Sequence, residues 1–378
     1  MSRHFLPNAM LGILGGGQLG RMFTLSAKAM GYRVAVLDPD PDSPAGSLAD
    51  VHLQAAYHDA AALQALADSC SAVTTEFENV PADSMRFLEQ RIRVSPSSEC
   101  VAIAQDRIRE KRFVRAAGLQ TAPFLEVETG SELDGDLSEY LPGILKIARL
   151  GYDGKGQLRV ADAEAARAGF RQMGGRPCVL EKMLDLKLEL SVVVTRIESG
   201  EAVCFPAAEN QHEAGILDVS IVPARVSADV SERARRKTLA LAEQLDYVGV
   251  LAVEFFLLRD DELVINEIAP RPHNSGHYTL DATLFSQFDQ QVRALCGLPP
   301  GGTRLLSPVV MVNLLGDIWR DDEPAWDKLL SEPNVHLHLY GKKSARIGRK
   351  MGHYNVLASN PDAALAQALS LKQELIRR

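Results

Sequence analysis

The sequence predicts a mixed fold that is α/β in its first third and α+β in the remainder. Two observations support this prediction. Short apolar runs alternate with helical patterns up to residue 118, which is typical of βαβ units around a parallel sheet. Strand-like runs then follow one another with few helical patterns between them, which is typical of antiparallel sheets. A length of 378 residues is enough for two or three domains.

The elements of the N-terminal part follow in order. Each predicted strand is an apolar run that ends in turn-forming residues, and each predicted helix has helical periodicity or is rich in alanine and leucine. Ser97 or Ser98 can cap a further helix that runs, with or without a break, to Gly118. The strands are Ala9–Leu14, Tyr32–Leu37 and Ala72–Phe77, and the helices are Leu19–Met30 and Ala60–Ala67.

The remaining elements divide the chain into four predicted domains. These are a βαβ domain (1–118), a small subdomain (119–185), a central antiparallel domain (186–305) and a C-terminal domain (306–378) with two strands and a closing helix from about Asp362. The predicted strands are Gly143–Ala148, Gln157–Val160, Cys178–Met183, Leu190–Ile197, Ala202–Phe205, Val250–Leu258, Leu263–Ile268, Val309–Leu314 and Val335–Tyr340, and a long helix covers Ser231–Leu245.

Composition and charge argue against several classes of protein. The chain has 41 Lys and Arg against 49 Asp and Glu, whereas a nucleic-acid-binding protein usually carries a basic stripe. The five cysteines are far apart and include no CxxC pair, which argues against a disulfide framework or a zinc site. No apolar run approaches the roughly 18 residues of a spanning helix, and no signal-peptide pattern is present. We expect a reduced, cytoplasmic protein without nucleic-acid or membrane partners.

A glycine-rich loop follows the first predicted strand. Gly15–Gly20 has the spacing G-x-G-x-x-G between a strand and a helix, where backbone N–H groups can approach an anion. Asp38 ends the next strand, where a dinucleotide-binding fold places its ribose-binding acid. By itself the loop fits a nicotinamide- or flavin-dependent oxidoreductase, a site for another phosphate, or glycines that only allow close packing of the helix.

A lysine and a second glycine-rich loop indicate another phosphate site. Lys146 lies inside an apolar strand, where a lysine either extends to the edge or points its charge at a ligand. The sequence GYDGKGQ over residues 151–157 could close over phosphates, although it lacks the ending of a P-loop. The alternative is a β-hairpin turn at Asp153-Gly154.

Two acidic residues interrupt neighbouring apolar strands. Glu254 and Glu267 are separated by the polar turn Arg259–Glu262, so pairing of the strands as a hairpin can bring the carboxylates onto neighbouring positions. Burial and mutual repulsion are unfavourable there. A cation such as Mg²⁺ removes both problems, because it prefers oxygen ligands shared with phosphates. The alternative is that each glutamate pairs with an arginine such as Arg271.

The tail contains a dense group of cations in an acidic protein. The sequence from Lys342 to Lys350 carries five basic residues within nine positions. In an acidic protein, such a local concentration of cations could bind a phosphate-bearing ligand. The alternative is a solvated basic hairpin, which is the commoner fate of a charge run.

Five motifs occur together along nearly the whole chain. They are GGGQLGRM (Gly15–Met22), TTEFENVP (Thr74–Pro81), GYDGKGQ (Gly151–Gln157), NEIAPRPHNSGH (Asn266–His277) and a tail motif, HLHLYGK followed by RIGRKMGH (His336–His353). With them the sequence resembles the ATP-grasp superfamily, and within it the N5-carboxyaminoimidazole ribonucleotide synthetases of purine biosynthesis. The resemblance implies an ATP-grasp fold with an N-terminal βαβ (Rossmann-like, pre-ATP-grasp) domain, an ATP lid, a central antiparallel sheet and a small C-terminal extension.

The resemblance implies that ATP lies between the lid and the central sheet. Glu181 would accept a hydrogen bond from the adenine amino group, and Glu189 would bind the ribose hydroxyls, although in isolation both look like strand-edge charges. The implied ATP-binding residues are Arg107, Lys146, Gly151, Tyr152, Asp153, Gly154, Lys155, Gly156, Gln157, Glu181, Lys182, Met183, Leu184, Glu189, His212, Asn266 and Glu267.

The resemblance also implies a metal site and a second substrate site. Glu254 and Glu267 would bind Mg²⁺, with two ions expected. Either Asp153 or His273 could handle the proton of the substrate amine. Lys342 is preferred to Lys343 as the phosphate ligand. The implied catalytic residues are Arg271, His273, Asn274 and Asp153, and the implied substrate-binding residues are Gly17, Gln18, Leu19, Glu76, Tyr152, Arg271, His273, Asn274, Ser275, Lys342, Arg346, Arg349 and Lys350.

The implied reaction is the carboxylation of 5-aminoimidazole ribonucleotide. Bicarbonate attacks the γ-phosphate of ATP to give carboxyphosphate, which breaks down to CO₂ and phosphate, and the substrate amine captures the CO₂. The expected requirements are ATP, Mg²⁺ and bicarbonate, without NAD or biotin, in a homodimer. The alternatives are a sister ligase such as formate-dependent glycinamide ribonucleotide transformylase, a Rossmann oxidoreductase, and a non-catalytic nucleotide-binding regulator.

Overall fold

The N-terminal third of the chain forms a parallel sheet. In the computed structural model, which describes residues 4–151, 156–319 and 323–376, this sheet has the strand order β3-β2-β1-β4-β5. Its strands are β1 (Met10–Leu14), β2 (Arg33–Leu37), β3 (Val51–Leu53), β4 (Ala72–Thr75) and β5 (Arg93–Val94), and its helices are α1 (Gln18–Ala29), α2 (Ala60–Ser69), α3 (Ala82–Glu89), α4 (Ser98–Ala104) and α5 (Arg107–Ala116).

Helices cover both faces of this sheet. Because side chains alternate along a strand, one strand contributes residues to the apolar cores on both faces. On β2, Val34 and Val36 belong to the apolar core that contains α1, whereas Ala35 and Leu37 belong to the core that contains α2. The sequence left open whether the last helix is broken, and the structure shows that it divides into α4 and α5. Asp106 ends the gap between α4 and α5, and its carboxylate caps α5 by accepting from the backbone N–H groups of residues 108 and 109.

A second, smaller sheet follows. It is antiparallel, with the strand order β6-β9-β7-β8, and one helix packs against it. Its elements are β6 (Phe124–Val127), β7 (Gly143–Ile147), β8 (Gln157–Val160), α6 (Ala163–Gln172) and β9 (Cys178–Lys182). This is the predicted lid, and β7 carries Lys146 towards the glycine-rich sequence that joins β7 to β8.

The third sheet contains nine antiparallel strands from the central and C-terminal parts of the chain. Its strands are β10 (Leu186–Arg196), β11 (Ala202–Cys204), β12 (Ala208–Glu213), β13 (Ile216–Val222), β14 (Gly249–Leu258), β15 (Leu263–Ala269), β16 (Val309–Leu315), β17 (Val335–Leu339) and β18 (Lys350–Leu357). The helices of these parts are α7 (Ala228–Gln244), α8 (Thr279–Ala282), α9 (Gln287–Leu295), α10 (Trp326–Leu330) and α11 (Pro361–Ile376). The order β15-β14-β10-β12-β13-β16-β18-β17, with β11 pairing to β10, joins the two parts in one sheet.

The predicted mixed fold is confirmed, but the C-terminal part was predicted with too few strands. It contains three strands rather than two, because β18 was interpreted as part of a basic loop. The central strands β12 and β13 were also missed. Four of the six residues of β12 form the polar run Asn210–Glu213, which lacks the apolar alternation of a half-buried strand. The structure explains this polarity, since β12 contributes His212 to a cavity described below.

Two sequence-based exclusions have structural counterparts. All five cysteines are free thiols, and four of them are buried. Within the described ranges, no helix combines the length and apolarity that a membrane crossing needs.

The N-terminal sheet is joined to the large sheet through α9. Phe288 and Val292 of this helix are fully buried in the same core as Leu11 and Ile13 of β1. The helix begins with a capping box in which Ser286 and Asp289 exchange side-chain and backbone hydrogen bonds. This packing fixes the glycine-rich loop after β1 relative to the large sheet.

We expect Phe288→Ala to lower the free energy of unfolding by about 3–5 kcal/mol, because it leaves a cavity in this shared core. Urea or thermal denaturation would measure the loss. Phe285→Ala is the matched control, since that ring is 36% exposed and should produce a smaller loss. Equal losses for the two variants would show that α9 does not join the two parts.

Candidate active site

A cavity of about 640 Å³ lies between the N-terminal sheet, the lid and the large sheet. Its walls include residues from five separate stretches of sequence that had been singled out as candidate sites. The predicted residues that line it are Gln18, Leu19, Glu76, Arg107, Lys146, Gly151, Gln157, Glu189, His212, Glu254, Asn266, Glu267, Arg271, His273, Asn274 and Lys350.

Other predicted residues do not line this cavity. Tyr152, Asp153, Gly154 and Lys155 lie outside the described residues. The described ones that are not on the wall are Gly17, Gly156, Glu181, Lys182, Met183, Leu184, Ser275, Lys342, Arg346 and Arg349.

The two central glutamates face each other across β14 and β15. Glu254 pairs directly with Glu267, as the hairpin predicted, but the next pair is Phe255 with Ile265. Asn266 is therefore the extra residue of a β-bulge. The bulge allows the consecutive residues Asn266 and Glu267 to line the same cavity, which regular alternation along a strand prevents. Oδ1 of Asn266 is buried and has no hydrogen-bond partner among the described residues.

Nearby cations determine the charge of this acidic pair. Burial and repulsion from Glu267 raise the pKa of Glu254. Burial acts on Glu267 in the same direction, but Arg107, whose Nη1 lies 2.9 Å from Oε2, lowers the pKa of Glu267 overall. Arg271 donates through Nε to Glu78 at 2.5 Å, and among the described residues it forms no ion pair with Glu254 or Glu267, although its charge lowers the pKa of Glu254. The arginine alternative therefore describes Glu267, which pairs with Arg107, but not Glu254.

A buried ionic cluster lies beside the acidic pair. The carboxylate of Glu181 is between two lysines, with Lys146 Nζ 2.9 Å from Oε2 and Lys111 Nζ 3.2 Å from Oε1. Burial opposes ionisation, yet the two ammonium groups lower the pKa of Glu181 to about 2. In this structure the carboxylate holds Lys146 in place and does not face open space.

Glu189 and His212 form a polar pair on the large sheet. His212 Nδ1 lies 2.9 Å from Glu189 Oε2, and both side chains line the cavity. Burial lowers the pKa of His212, but the adjacent carboxylate outweighs it and raises the pKa overall. The pair leaves one oxygen of Glu189 for a ligand.

The glycine-rich loop after β1 is occupied by the protein's own carboxylates. The backbone N–H of Gly17 and that of Gly20, at 2.8 Å, donate to the two oxygens of Glu76. The N–H of Gly16 donates to Asp38 Oδ2 at 2.7 Å, and Tyr57 donates to the same oxygen at 2.6 Å. The amides that would bind a pyrophosphate in a dinucleotide-binding fold are therefore already used within the chain.

The basic tail lies near this loop. Lys343 forms an ion pair with Asp42 at 2.6 Å, and Lys342 Nζ donates to the carbonyl of Lys350 at 2.7 Å. Burial raises the pKa of Glu76, and the charge of Lys342 opposes that rise, so Lys342 lies close to the cavity end that Glu76 lines. Arg349 donates to Ser344 within the tail. The tail thus contacts the N-terminal part through Lys343, while residues 343–347 are exposed to solvent.

Comparison with known proteins accounts for this arrangement. Three family models match in order: the ribonucleotide synthetase preATP-grasp domain over residues 9–105, the ATP-grasp domain over 112–288 and the phosphoribosylaminoimidazole carboxylase C-terminal domain over 309–367. The N5-carboxyaminoimidazole ribonucleotide synthase of Bacillus subtilis (strain 168) is 45% identical over 366 residues, which are 96% of this chain and 95% of that protein. The chain belongs to the N5-carboxyaminoimidazole ribonucleotide synthase family.

Solved structures of this synthase family have the same fold. The ADP complex of an N5-carboxyaminoimidazole ribonucleotide synthetase is 44% identical, with a TM-score of 0.93 and 98% of each chain covered. The enzyme of Aspergillus clavatus in complex with ADP and 5-aminoimidazole ribonucleotide is 32% identical, with a TM-score of 0.89 and 98% of this chain and 99% of that chain covered. The ATP-grasp fold that the motifs implied is confirmed.

Sequence reasoning missed three residues of this synthase-family site. Lys111 and Glu110 follow Arg107 on α5 by four and three positions, and that helical spacing places them on one face. Lys111 Nζ lies 3.4 Å from the carbonyl of Asn266, and Glu110 accepts from the N–H of Ile268 at 2.5 Å. The third residue, Glu78, lies in the TTEFENVP motif. All three residues could have been found, Lys111 and Glu110 by helical periodicity from Arg107 and Glu78 by its motif.

We expect Glu254→Gln to stabilise the ligand-free synthase at alkaline pH and to have less effect at pH 6. The raised pKa means that folding favours the protonated carboxyl, so this stabilisation is present at low pH and is lost as pH rises through the folded-state pKa. Glutamine stays neutral throughout. Between pH 6 and 9, the melting temperature of Glu254→Gln should therefore fall less steeply with pH than that of the unmodified protein. Glu374→Gln, at an exposed position, is the control and should leave the pH dependence of the melting temperature unchanged. If Glu254→Gln also leaves that pH dependence unchanged, the raised pKa of Glu254 is contradicted.

Proposed function

We propose that this chain carboxylates 5-aminoimidazole ribonucleotide to N5-carboxyaminoimidazole ribonucleotide, using ATP and bicarbonate and releasing ADP and phosphate. The observation that carries the proposal is that one cavity is lined both by the acidic pair with its phosphate-type cations and by the glycine-loop residues with Lys350. The Aspergillus clavatus relative was solved with ADP and 5-aminoimidazole ribonucleotide together, and two such ligands fit two differently lined ends.

The nucleotide would bind at the end formed by the lid and the large sheet. Lys146 and Arg107 place fixed positive charges on the wall, where they would contact phosphate oxygens. Glu189 offers a carboxylate oxygen for ribose hydroxyls. The glycine-rich loop from Gly151 to Gln157 would close over the phosphates, and both of its ends line the cavity.

Glu254, Glu267 and Asn266 would hold Mg²⁺ in this nucleotide site, with two ions proposed. The residues fit, because two opposed carboxylates and a buried amide oxygen without a described partner form a hard-oxygen donor set. Among the described residues no group of three or more acidic, histidine or cysteine side chains is arranged to hold a metal, so phosphate oxygens and water would complete the coordination. When bound, magnesium would supply positive charge that stabilises the γ-phosphate during transfer.

The ribonucleotide would bind at the other end. Gln18 and Leu19 begin α1, and Lys350 lies opposite them on the cavity wall. Lys342 lies near Glu76, whereas Lys343 is paired with Asp42, which supports Lys342 as the phosphate ligand. Asn274 is buried on the wall, and neither polar atom of its side chain has a partner among the described residues, so it is suited to a polar substrate group.

The chemistry requires positioning and exclusion of water. An oxygen of bicarbonate bonds to the γ-phosphorus as the bond to ADP breaks, which gives carboxyphosphate. That compound separates into phosphate and CO₂, and the exocyclic amine forms a bond to the CO₂ carbon and loses a proton. Arg271, whose guanidinium is held by Glu78, would bind the carboxylate oxygens of bicarbonate. Closure of the lid would protect carboxyphosphate from hydrolysis.

The same site supports the alternatives less well. A dinucleotide-dependent oxidoreductase needs the amides of Gly17 and Gly20 for a pyrophosphate, but these amides donate to Glu76. A non-catalytic regulator does not need a pair of repelling carboxylates beside phosphate-binding cations.

A homodimer and a cytoplasmic location remain predictions, which sedimentation and cell fractionation would test.

An omission assay tests the proposed function. With all components present, the protein should release ADP at full rate, and omission of ATP, bicarbonate or 5-aminoimidazole ribonucleotide, each in turn, should reduce this rate. Each substrate takes part in the same coupled sequence, so none can be replaced by the others. Full turnover with glycinamide ribonucleotide and formate instead would reassign the protein to the sister ligase. Binding of NAD(P)H would favour the oxidoreductase hypothesis.

We expect Lys146→Ala and Arg349→Ala to affect different substrates. Loss of a charge-assisted contact of about 1.5–3 kcal/mol corresponds to about 10–100-fold. Lys146→Ala should raise the KM for ATP and lower kcat, because its contacts act in both ground and transition states. Arg349→Ala should raise mainly the KM for the ribonucleotide. Steady-state kinetics with each substrate varied would measure both effects.

Lys187→Ala is the matched control for these variants. Its ammonium is at the surface and pairs with Asp261 at 2.8 Å, so its removal should change neither KM. If Arg349→Ala weakened ATP more than the ribonucleotide, the tail would have been assigned to the wrong end of the cavity.

A further inference from the structure

A row of buried polar side chains crosses the large sheet beneath the cavity. Ser220 on β13 donates to Asn210 Oδ1 on β12 at 2.8 Å, and Asn210 Nδ2 donates to Ser191 Oγ on β10 at 2.9 Å. All three residues are at most 5% exposed. Ser191 is paired across the strands with Glu254, so this polar row, Ser220–Asn210–Ser191, leads to the acidic pair.

The polar row continues into the loop that follows β15. Ser191 Oγ donates to the hydroxyl of Ser275 at 2.7 Å, and that hydroxyl lies 2.9 Å from Nδ1 of His273. The backbone N–H of Ser275 also donates to His273 Nδ1, at 3.3 Å. Ser275 is completely buried, so it lies behind the His273 ring and not on the cavity wall, where a substrate-binding residue was predicted.

These contacts determine which nitrogen of His273 carries the proton. A backbone N–H can only donate, so Nδ1 must present its lone pair to Ser275. Since the hydroxyl of Ser275 accepts from Ser191, its own proton is available for the same lone pair. A neutral imidazole carries one N–H, and this must be on Nε2. Nε2 lies 3.1 Å from Glu254 Oε1 on the cavity side of the ring.

We propose that His273 acts in the reaction as a fixed hydrogen-bond donor through Nε2 and not as the base for the substrate amine. Ser275 and the polar row are positioning residues, which hold the ring and its tautomer. The inference rests on the proposed carboxylation. When the amine nitrogen bonds to the carbon of CO₂ it loses one proton, and His273 has no lone pair facing the cavity to accept it. The phosphate released from carboxyphosphate in the same cavity is an acceptor that the reaction itself supplies.

Nitrogen NMR of the intact protein, labelled with ¹⁵N-histidine, tests the tautomer directly. At neutral pH the His273 ring should give a protonated Nε2 with a directly bonded hydrogen and an unprotonated Nδ1. The signals are assigned by their loss in His273→Gln. A ring protonated at Nδ1, or at both nitrogens, would overturn the proposal. This measurement needs no turnover, so it remains informative even if the omission assay fails to show carboxylation.

Two substitutions distinguish a donor from a base. In His273→Gln the amide nitrogen reaches the position of Nε2, whereas in His273→Asn it reaches only the position of Nδ1. A donor role predicts that Gln keeps kcat within about 10-fold, while Asn lowers kcat by about 100-fold or more, as the loss of one fixed donor does elsewhere. A base role predicts equal inactivity for both, since neither amide accepts a proton, together with loss of the acid limb of the kcat profile. Equal inactivity would overturn the proposal.

Asn210→Ala tests the polar row, because this residue touches neither the ring nor the cavity. We expect it to lower kcat several-fold with the KM for ATP unchanged, and to broaden or double the His273 ring signals. Ser47→Ala is the control, because it removes a hydroxyl that donates to the carbonyl of Pro44, away from the polar row. A lower melting temperature with unchanged kcat and unchanged ring signals would show that the polar row is merely structural.

Discussion

Two carboxyl groups, the buried Glu254 and the partly exposed Glu267, face each other at the centre of this molecule, and the surrounding structure compensates for the repulsion that their ionisation would cause. Glu254 and Glu267 occupy directly opposed positions on β14 and β15, where separate ionisation of both is unfavourable. Positive charge comes from Arg107 at 2.9 Å and, further away, from Lys146 and Lys111. Without a metal ion, folding favours the protonated form of Glu254, whereas a divalent cation bound between the two carboxylates would stabilise the charged form of both.

The α5 helix maintains this geometry. Successive residues on one of its faces reach three consecutive residues of β15: Arg107 binds the side chain of Glu267, Lys111 approaches the carbonyl of Asn266, and Glu110 accepts from the N–H of Ile268. A β-bulge leaves ladder groups without partners, and these contacts satisfy them from the side. Burial and repulsion from Glu267 raise the pKa of Glu110 to about 7, even though the neighbouring Arg107 and Lys111 favour its charged form. The helix at the end of the N-terminal part thus shapes the centre of the large sheet.

Local patterns were sufficient for much of the fold and for the identity of many site residues. Apolar periodicity located β1, β2 and β4 of the five-stranded N-terminal sheet but missed the short strands β3 and β5. It also located the β14–β15 hairpin, and the hairpin alone placed Glu254 beside Glu267. Patterns along the chain could not reveal the bulge at Asn266, because a register shift depends on the partner strand. Nor could they show that Glu181 is buried between two lysines, since Lys111 is 70 residues away in sequence and its helix has the composition of a solvated surface. β12 escaped detection because most of its residues are polar; one of them, His212, lines the cavity.

The loop after β15 connects the two ends of the cavity. It leaves the acidic pair and crosses the sheet to contact β12 and β13, and its short 3₁₀ turn, Asn274–Gly276, rests on the polar row. On one side the His273 ring lies 3.1 Å from Glu254. On the other side it is close to Lys350. Burial lowers the pKa of His273, and the charges of Arg271 and Lys350 lower it further. A flat sheet would separate β14 from β18 by five strand spacings, or about 24 Å. The His273 ring nevertheless lies close to both Glu254 and Lys350, so the donors of this loop lie where a one-carbon unit would pass from the phosphate end to the ribonucleotide end in the proposed reaction.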